Sequence, residues 1–464
     1  MKVEQIYTGC LAHGAYYIES NGEAAVIDPL RETQQYIDMA EKRGAKIKYV
    51  LETHFHADFV SGHLDLAKKT GAEIVYGPNA AADFDFHKAE DGEILELGDL
   101  KIKVLHTPGH TMESSCYLLF DGNGKEHSIF TGDTLFIGDV GRPDLAQTGT
   151  LTQEDLASYL YDSLRNKIMT LPQDVILYPG HGAGSACGKH MSDETVSTIG
   201  DQIKNNYSLR ESMTKDEFIK EVTDGLLPPP GYFPKNVMMN KKGYQNFDDV
   251  LAKGTKKYSV NEFKEMASKS STLILDTRDP LEFGKGFIPG SIHIGLDGNF
   301  APWVGELIED INQILLLVTD EGKEEEAVTR LARVGYDNVV GILDGGFEAW
   351  KNSGNEIDQV EVIHAEEFAE LASKEKLNIV DVRRENEYSI SHLKGAQNIP
   401  LNYVNKDYKK YDLDKTYYTH CLGGYRTMIN SSILKSKGIK NVISVYDEFD
   451  NIQKAFENKN LEIA

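Results

Sequence analysis

The 464-residue chain has no long apolar run, and this absence excludes membrane-spanning proteins. No segment approaches the roughly 18 consecutive apolar residues that a transmembrane helix needs. The first ten residues, MKVEQIYTGC, also lack the apolar core of a secretion signal. The sequence therefore predicts a cytoplasmic protein that does not bind membranes.

Basic residues are also few. The chain has 49 Lys and Arg against 73 Asp and Glu, which gives a net charge of −24. Such a chain repels nucleic acid and anionic lipid surfaces, so neither is expected as a partner. The length and the 40% hydrophobic content predict two or three globular domains. We expect a homo-dimer or homo-tetramer, as is usual for large acidic multidomain enzymes.

Cysteine is scarce as well, with only Cys10, Cys116, Cys187 and Cys421 in the whole chain. Thiols scattered in this way are typical of reduced cysteines rather than of a disulfide framework. None lies between residues 188 and 420. Any thiol chemistry in residues 188–464 therefore falls to Cys421.

The first 225 residues or so alternate between apolar strands and helices that end at glycine. The strands end in polar residues, in segments such as AAVIDP, KYVLETH and DVILYPGH. A proline-rich stretch at 226–236 follows, and we expect it to be ordered because Tyr232 and Phe233 need burial.

The second half contains an internal repeat. LILDTRDPLEFGKGFIPGSIHI begins at Leu273, and NIVDVRRENEYSISHLKGAQNI begins at Asn378. At an offset of 105, Asp276 and Arg278 correspond to Asp381 and Arg383. Strands alternate with helices in both copies, which predicts two α/β domains with parallel sheets.

Histidines and aspartates at the strand ends of the first half predict a metal site. The stretch THFHADFVSGH contributes His54, His56 and Asp58, and later motifs contribute His110, Asp133 and His181. Imidazole and carboxylate are usual ligands of transition metals. One such motif alone gives weak support for a metal site, but four motifs in this order give strong support.

These motifs resemble the metallo-β-lactamase fold over about residues 1–235, which implies an αββα sandwich. In the dinuclear members of that superfamily, a histidine after the aspartate binds the second metal. Here that residue is Phe59, which has no lone pair to donate. We expect the second pocket to offer at most Asp58 and His181, too few ligands for tight binding, and so expect one metal per chain.

Further motifs resemble the persulfide dioxygenases, including HADFVSGH, GDVGRPDL, YPGHGAGSACGK and PPPGYFPKNVMMN. By position, that resemblance implies one Fe(II) bound by His54, His110 and Asp133, with three positions open for O₂ and a sulfur substrate. His56, Asp58 and His181 become groups that orient the ligands or bound water.

The resemblance gives two further residues substrate-binding roles with open alternatives. Arg142 binds the carboxylate of the thiol carrier, lies at the site entrance or forms a structural ion pair. Cys187, six residues after His181, carries sulfur, is modified or packs under a glycine turn.

The second repeat contains YYTHCLGGYRT, which resembles the active-site loop of rhodanese sulfurtransferases. Backbone N–H groups around Gly424, the following helix N-terminus and the charge of Arg426 all favour a thiolate at Cys421. The first repeat has Asp320 at or near the cysteine position and four glutamates nearby. We therefore expect the first repeat to be inactive.

The whole chain resembles a persulfide dioxygenase–rhodanese fusion. The expected domains are a dioxygenase at 1–235, a linker at 236–257, an inactive rhodanese at 258–356 and an active rhodanese at 357–464. The expected enzyme oxidises a thiol persulfide with O₂ to sulfite and thiol, and Cys421 converts sulfite and persulfide to thiosulfate or does the reverse. The residues leave glutathione, coenzyme A, bacillithiol and cysteine open as the thiol.

Two other classes are weighed against this hypothesis. One is a hydrolase of the glyoxalase II or thioesterase type that uses metal-bound hydroxide. Phe59 and the rhodanese repeats count against the hydrolase. The other is a non-catalytic sulfide sensor or sulfur carrier with a vestigial iron site, and the complete ligand set counts against it.

Overall fold

The computed structural model describes residues 1–269 and 271–464, whose contacts divide them into two compact units. The first unit comprises residues 1–247 with 332–335, and the second comprises 248–331 with 336–464. Within the described residues, no helix has the length and apolar character that crossing a membrane requires. The domain boundaries after residues 235, 257 and 356 stay predictions.

Two six-stranded sheets form the first unit. The first sheet has the order β1-β2-β3-β4-β5-β6, from β1 (Lys2–Thr8), β2 (His13–Ser20), β3 (Glu23–Ile27), β4 (Lys46–Leu51), β5 (Glu73–Tyr76) and β6 (His87–Lys88). The second has the order β12-β11-β10-β9-β8-β7, from β7 (Ile94–Leu97), β8 (Leu100–His106), β9 (Ser115–Phe120), β10 (Glu126–Gly132), β11 (Ile176–Pro179) and β12 (Ser197–Thr198).

Helices cover the outer face of each sheet. They are α1 (Gln34–Arg43), α2 (His63–Thr70), α3 (Gln153–Ser163), α4 (Ile199–Asn205), α5 (Lys215–Thr223) and α6 (Phe233–Lys242). One apolar cluster lies between the sheets and contains Ile18, Val104 and Phe130. Two others lie between a sheet and its helices. These layers confirm the predicted αββα sandwich. Tyr232 and Phe233 are buried, as expected for an ordered proline-rich stretch.

The second unit begins within α7 (Phe247–Gly254) and contains the two repeats. Their sheets have matching orders, β13-β17-β16-β14-β15 and β18-β22-β21-β19-β20, and every strand pairing within them is parallel. The strands are β13 (Lys257–Tyr258), β14 (Thr272–Asp276), β15 (Ile292–His293), β16 (Ile314–Val318), β17 (Val339–Leu343), β18 (Glu361–Ile363), β19 (Asn378–Asp381), β20 (Gln397–Asn398), β21 (Tyr417–His420) and β22 (Val442–Val445).

The repeats also match in their helices. Those of the first are α8 (Val260–Ala267), α9 (Pro280–Lys285), α10 (Phe300–Leu307), α11 (Glu324–Arg333) and α12 (Gly346–Asn352). Those of the second are α13 (Ala365–Lys374), α14 (Glu385–Ile390), α15 (Val404–Asp407), α16 (Tyr425–Ser436) and α17 (Phe449–Asn458). The predicted pair of parallel α/β domains is confirmed.

A buried ion pair holds the same place in each repeat. The Arg278 guanidinium donates to the Asp276 carboxylate at 2.6 Å, and that of Arg383 donates to Asp381 at 2.7 Å. Both aspartates are fully buried. Each arginine also lies over an aromatic ring, of Phe347 in the first repeat and of another phenylalanine in the second. The pair therefore belongs to the fold and not to the chemistry, because the repeat without a cysteine retains it.

We predict that Arg383→Met lowers the free energy of unfolding of the second unit by about 3–5 kcal/mol, because it leaves the Asp381 carboxylate buried without a partner. Urea unfolding followed by circular dichroism measures the change. Lys374→Met is the control, since that side chain is 66% exposed beside Glu370 and its loss should change stability by at most about 1 kcal/mol. Equal effects of the two substitutions would contradict the structural role of the buried pair.

Candidate metal and thiol sites

Three strand ends bring the predicted metal ligands together in the first unit. His54 follows β4, His110 follows β8, and Asp133 comes directly after β10. One donor atom from each of the three lies within 4.8 Å of the other two, and all three residues are buried. The set predicted from the motifs is therefore a compact cluster at one edge of the sandwich.

The side chains of this cluster fit a cation. His110 Nε2 lies 3.4 Å from Asp133 Oδ2, and His54 Nε2 lies 3.9 Å from the same oxygen. His110 Nδ1 donates to the carbonyl of Arg142 at 2.9 Å, which leaves the Nε2 lone pair facing the cluster. Asp133 Oδ2 is buried without a hydrogen-bond partner among the described residues. Buried carboxylate oxygens without partners are typical of metal sites.

Charge at the cluster also favours metal binding. Burial, and after it the neighbouring His56, hold the pKa of His54 well below its usual range, so its imidazole is neutral. Burial alone would raise the pKa of Asp133, but the surrounding imidazoles, His181 foremost, hold that pKa well below its usual range. A neutral imidazole and an ionised carboxylate are the forms that bind metals.

His181, which follows β11, lies between two carboxylates. Its Nδ1 is 2.7 Å from Asp133 Oδ1, and its Nε2 is 2.8 Å from Asp58 Oδ2. Burial alone would lower the pKa of His181, but the two carboxylates hold it well above its usual range. The charged imidazolium therefore occupies the pocket next to the three-residue cluster and pairs with both carboxylates.

The expected ligand count of this second pocket is wrong. The structure brings Cys187 within 4.8 Å of Asp58 and His181, so the pocket has three donor residues rather than two. Burial, and then the charges of Asp58 and Asp133, hold the pKa of the Cys187 thiol well above its usual range. A neutral thiol is a poor ligand and a poor nucleophile. This state of the thiol does not favour the sulfur-relay role, which stays a prediction.

Phe59 is fully buried against imidazoles. Its ring centroid is 4.3 Å from that of His13 and 4.4 Å from that of His56. His56 Nε2 in turn lies 3.1 Å from Asp28 Oδ1 and 3.6 Å from Glu52 Oε2. His56 Nε2 therefore faces two buried carboxylates without a hydrogen bond to either, and its ring packs 4.2 Å from that of the predicted ligand His54.

Several of these supporting residues were missed by the sequence analysis. His13, Asp28, Glu52 and Asn240 are fully buried around the motif. The Asn240 amide donates to the carbonyls of His56 and Phe59 at 2.8 and 2.9 Å. Asp28 and Glu52 each follow a strand directly, which is a signal the sequence contains. Asn240 lies in a helix 181 residues after Phe59, and the motif spacing gives no sign of that contact.

Arg142 is buried, and four of its hydrogen bonds are made within the first unit. It donates twice to Asp144, at 2.6 and 2.7 Å, and once each to the carbonyls of Ala186 and Leu227. A guanidinium has five N–H donors, so little capacity is left for a substrate carboxylate. Among the alternatives for Arg142, the contacts favour the structural ion pair, and the substrate contact stays a prediction.

In the second unit, Cys421 follows β21 directly and is 1% exposed. The Gly424 N–H donates to Cys421 Sγ at 3.1 Å. Gly424 has φ of +87°, which a residue with a side chain rarely adopts, and helix α16 begins at the next residue. The predicted loop, with an N–H group and a helix N-terminus at the sulfur, is present.

Arg426 differs in one respect from the expectation of a free positive charge. Its guanidinium forms two hydrogen bonds to the carboxylate of Glu387, at 2.6 and 2.7 Å. Glu387 was not among the site residues predicted from the sequence. The ion pair reduces the charge that Arg426 presents to Cys421 and fixes the position of its side chain.

The corresponding loop of the first repeat has no thiol. Asp276 pairs with Val318 in one sheet as Asp381 pairs with His420 in the other. Thr319 is therefore the counterpart of Cys421, and Asp320 is the next residue. Neither side chain can carry a sulfane sulfur, which agrees with the expected inactivity.

Comparison with known proteins assigns both units. Residues 8–181 match the metallo-β-lactamase superfamily, and residues 259–353 and 364–454 each match the rhodanese-like domain. The chain belongs to the metallo-β-lactamase superfamily and has two rhodanese-like domains after its metallo-β-lactamase domain.

The similar proteins include two kinds of enzyme. The human mitochondrial persulfide dioxygenase ETHE1 is 32% identical over 211 residues, which is 45% of this chain and 74% of that protein. A probable hydroxyacylglutathione hydrolase of Schizosaccharomyces pombe is 30% identical over 203 residues, 42% of this chain and 75% of that protein. A metallo-β-lactamase structure from Staphylococcus aureus, 30% identical with a TM-score of 0.65, covers 74% of this chain and 98% of its own.

We predict that Phe59→His raises zinc occupancy, because it adds an imidazole to a pocket that already has Asp58, His181 and Cys187. Metal analysis of protein purified with excess zinc measures the stoichiometry. The control is Phe55→His, whose ring stacks on Tyr76 at 4.4 Å and should leave the stoichiometry unchanged. An unchanged zinc content in Phe59→His would mean that position 59 does not reach the pocket.

Proposed function

We propose that the protein is a persulfide dioxygenase coupled to a rhodanese sulfurtransferase. In this proposal one Fe(II) per chain is bound by His54, His110 and Asp133, and Cys421 carries sulfane sulfur. The observation that carries the proposal is the two-histidine, one-carboxylate cluster in a chain that also has a loop built around Cys421. Such a triad leaves open positions for O₂ and substrate in non-haem iron oxygenases.

The proposed first reaction is RSSH + O₂ + H₂O → RSH + H₂SO₃, with RSSH a low-molecular-weight thiol persulfide. Bound iron supplies the activation of O₂ that no protein side chain provides. The chain supplies ligand geometry, since the hydrogen bond from His110 Nδ1 to the Arg142 carbonyl fixes the imidazole. Burial of all three ligands limits water at the site.

His181 supports the proposal of a single metal. Its Nδ1 is hydrogen-bonded to Asp133 at 2.7 Å, and its Nε2 lies 2.8 Å from Asp58 Oδ2 without a hydrogen bond among the described residues. The imidazolium supplies the positive charge between Asp58 and Asp133 that a second cation supplies in a dinuclear site. Phe59 adds no ligand to that pocket.

The proposed second reaction is sulfur transfer at Cys421. The thiolate attacks the outer sulfur of RSSH, a new S–S bond forms, and the old S–S bond breaks to release the thiol RSH. Sulfite then attacks the terminal sulfur on Cys421, which gives thiosulfate and returns the thiolate. The Gly424 N–H, 3.1 Å from Sγ, stabilises the negative charge at the start and at the end of this cycle.

The alternative function is a metal-dependent hydrolase of the glyoxalase II or thioesterase type. The likeness to a probable hydroxyacylglutathione hydrolase, at 30% identity, favours it. Two tightly bound zinc ions with cleavage of a glutathione thioester, and no O₂ uptake with any persulfide, would support the hydrolase.

We predict that Asp133→Ala abolishes iron retention and persulfide-dependent O₂ uptake, because it removes the one carboxylate of the triad. Asp58→Asn is the matched control, since it changes a buried carboxylate outside the triad and should leave iron bound. Iron content after anaerobic purification and an oxygen electrode give the two readings. Loss of metal from both variants to the same extent would contradict the assignment of ligands.

We predict that Cys421→Ser leaves O₂ uptake nearly unchanged and replaces thiosulfate by sulfite as the product, because a serine hydroxyl is far too weak an acid to replace the thiolate. Product analysis with labelled sulfur measures both. Asp320→Ala is the control in the first repeat and should alter neither rate. Undiminished thiosulfate from Cys421→Ser would contradict the proposal, and Cys187→Ser would then test whether Cys187 is the relay.

A further inference from the structure

Helix α16 is buried on more than one face. It begins directly after the Cys421 loop, and every residue from Thr427 to Leu434 is buried. A helix that packs on one side of a single sheet normally leaves its other face in solvent. Here a second surface covers the face that would otherwise be exposed, and that surface belongs to the first repeat.

Three residues of α16 at helical spacing contact the first repeat. Tyr425 Oη donates to the carbonyl of Gly295 at 2.7 Å. Met428, one turn later, packs in an apolar cluster with Phe283 and Phe287. Ser432, a further turn along, accepts at its Oγ from the backbone N–H of His293 at 2.9 Å. Residues at i, i+3 and i+7 share one face of a helix, so a continuous stripe of α16 rests on the first repeat.

The contact at Tyr425 is the one nearest to Cys421. The Tyr425 ring lies against Gly298 so closely that a Cβ added there would be 2.7 Å from a ring carbon. The loop at 295–298 is itself held by Arg330, which is buried and donates to the carbonyls of Leu296 at 2.6 Å and Gly298 at 3.0 Å. The ring of Tyr425 is thus fixed by backbone of the first repeat and not by a mobile side chain.

Tyr425 adjoins the residue that contacts the sulfur. Its neighbour Gly424 donates its N–H to Cys421 Sγ, and that bond depends on the turn at Gly424 with φ of +87°. A displacement of Tyr425 reaches this N–H through the φ and ψ angles of Gly424, because Tyr425 is bonded to the carbonyl carbon of Gly424. Among the described residues of the second repeat, none forms a hydrogen bond with the Tyr425 hydroxyl.

We propose that the repeat without a cysteine is a positioning element for Cys421, which acts through the Gly295–Gly298 loop and Arg330 on Tyr425. It keeps the Gly424 N–H aimed at the sulfur and makes no covalent contribution. This inference rests on the proposed sulfur transfer and deepens it, since it gives the inactive repeat a role in that reaction. Gly295, Gly298, Arg330 and Tyr425 are positioning residues and do not contact the transferred sulfur.

The test is Gly298→Ala, whose added methyl group would lie 2.7 Å from the Tyr425 ring, so that the ring or the loop at 295–298 must shift. We expect the kcat of sulfur transfer from thiosulfate to cyanide to fall about tenfold, with KM changed less than twofold. The rate of Cys421 alkylation by iodoacetamide is measured against pH by mass spectrometry of the Cys421 peptide. In the Gly298→Ala variant this pH profile should shift to higher pH. That profile requires no sulfur substrate. If the wild-type protein transfers no sulfur, the proposed function is refuted. The alkylation profile of Cys421 would then still test whether the first repeat positions the Gly424 N–H.

A double-mutant cycle separates this role from a general loss of structure. In a Tyr425→Leu background the tenfold effect of Gly298→Ala should disappear, because no ring remains to be displaced. Tyr425→Phe, which retains the ring and loses the hydrogen bond to Gly295, should reduce kcat by about threefold. Tyr403→Phe, at a side chain 38% exposed in the same repeat, is the control and should have no effect.

Unfolding curves of each variant show whether it is folded. A folded Gly298→Ala protein with an unchanged kcat and an unchanged alkylation profile would overturn the inference. Equal losses from Gly298→Ala in the wild-type and Tyr425→Leu backgrounds would also overturn it, because the effect would then not pass through Tyr425.

Discussion

Burial of ionised side chains at strand ends is the constraint on which the first unit depends. Asp133 and Asp58 are both buried, and a buried carboxylate is tolerated only with a partner of opposite charge or a metal. The structure provides both solutions next to each other. His181 pairs with each carboxylate through a different nitrogen, and Asp133 Oδ2 is left for a cation beside His54 and His110.

This arrangement is consistent with the proposal of a single metal. In a dinuclear site the second cation would compensate Asp58 and part of Asp133. Here the His181 imidazolium compensates them instead, and Phe59 fills space against His13 and His56. Cys187 completes the boundary of the pocket as a neutral thiol. A phenyl group at position 59 is therefore compatible with the charges around it.

The metal-binding cluster could be predicted from the sequence because its residues are of metal-binding types and each follows an apolar strand. His54, His110 and Asp133 follow apolar strands, and parallel or mixed sheets bring such ends to one edge, so their proximity was predictable. Cys187 was not predicted as a neighbour of Asp58, because its loop has no periodic pattern that fixes its path. Nor was the pairing of Arg426 with Glu387, 39 residues earlier in the chain, predicted. Contacts between distant segments set these details.

Comparison of the two rhodanese-like domains distinguishes the residues that maintain the fold from those that would perform the proposed reaction. Both repeats keep the buried aspartate–arginine pair at the end of the central strand, yet only the second keeps a thiol. The first repeat has no thiol, yet its Gly298 lies so close to Tyr425 of the other repeat that an added Cβ would be 2.7 Å from the ring. The proposed positioning role gives this fit a reason, since the proposed sulfur transfer would depend on the Gly424 N–H at Cys421. A first repeat that has the fold but no cysteine is consistent with this proposal, because positioning Gly424 requires the fold and not a thiol.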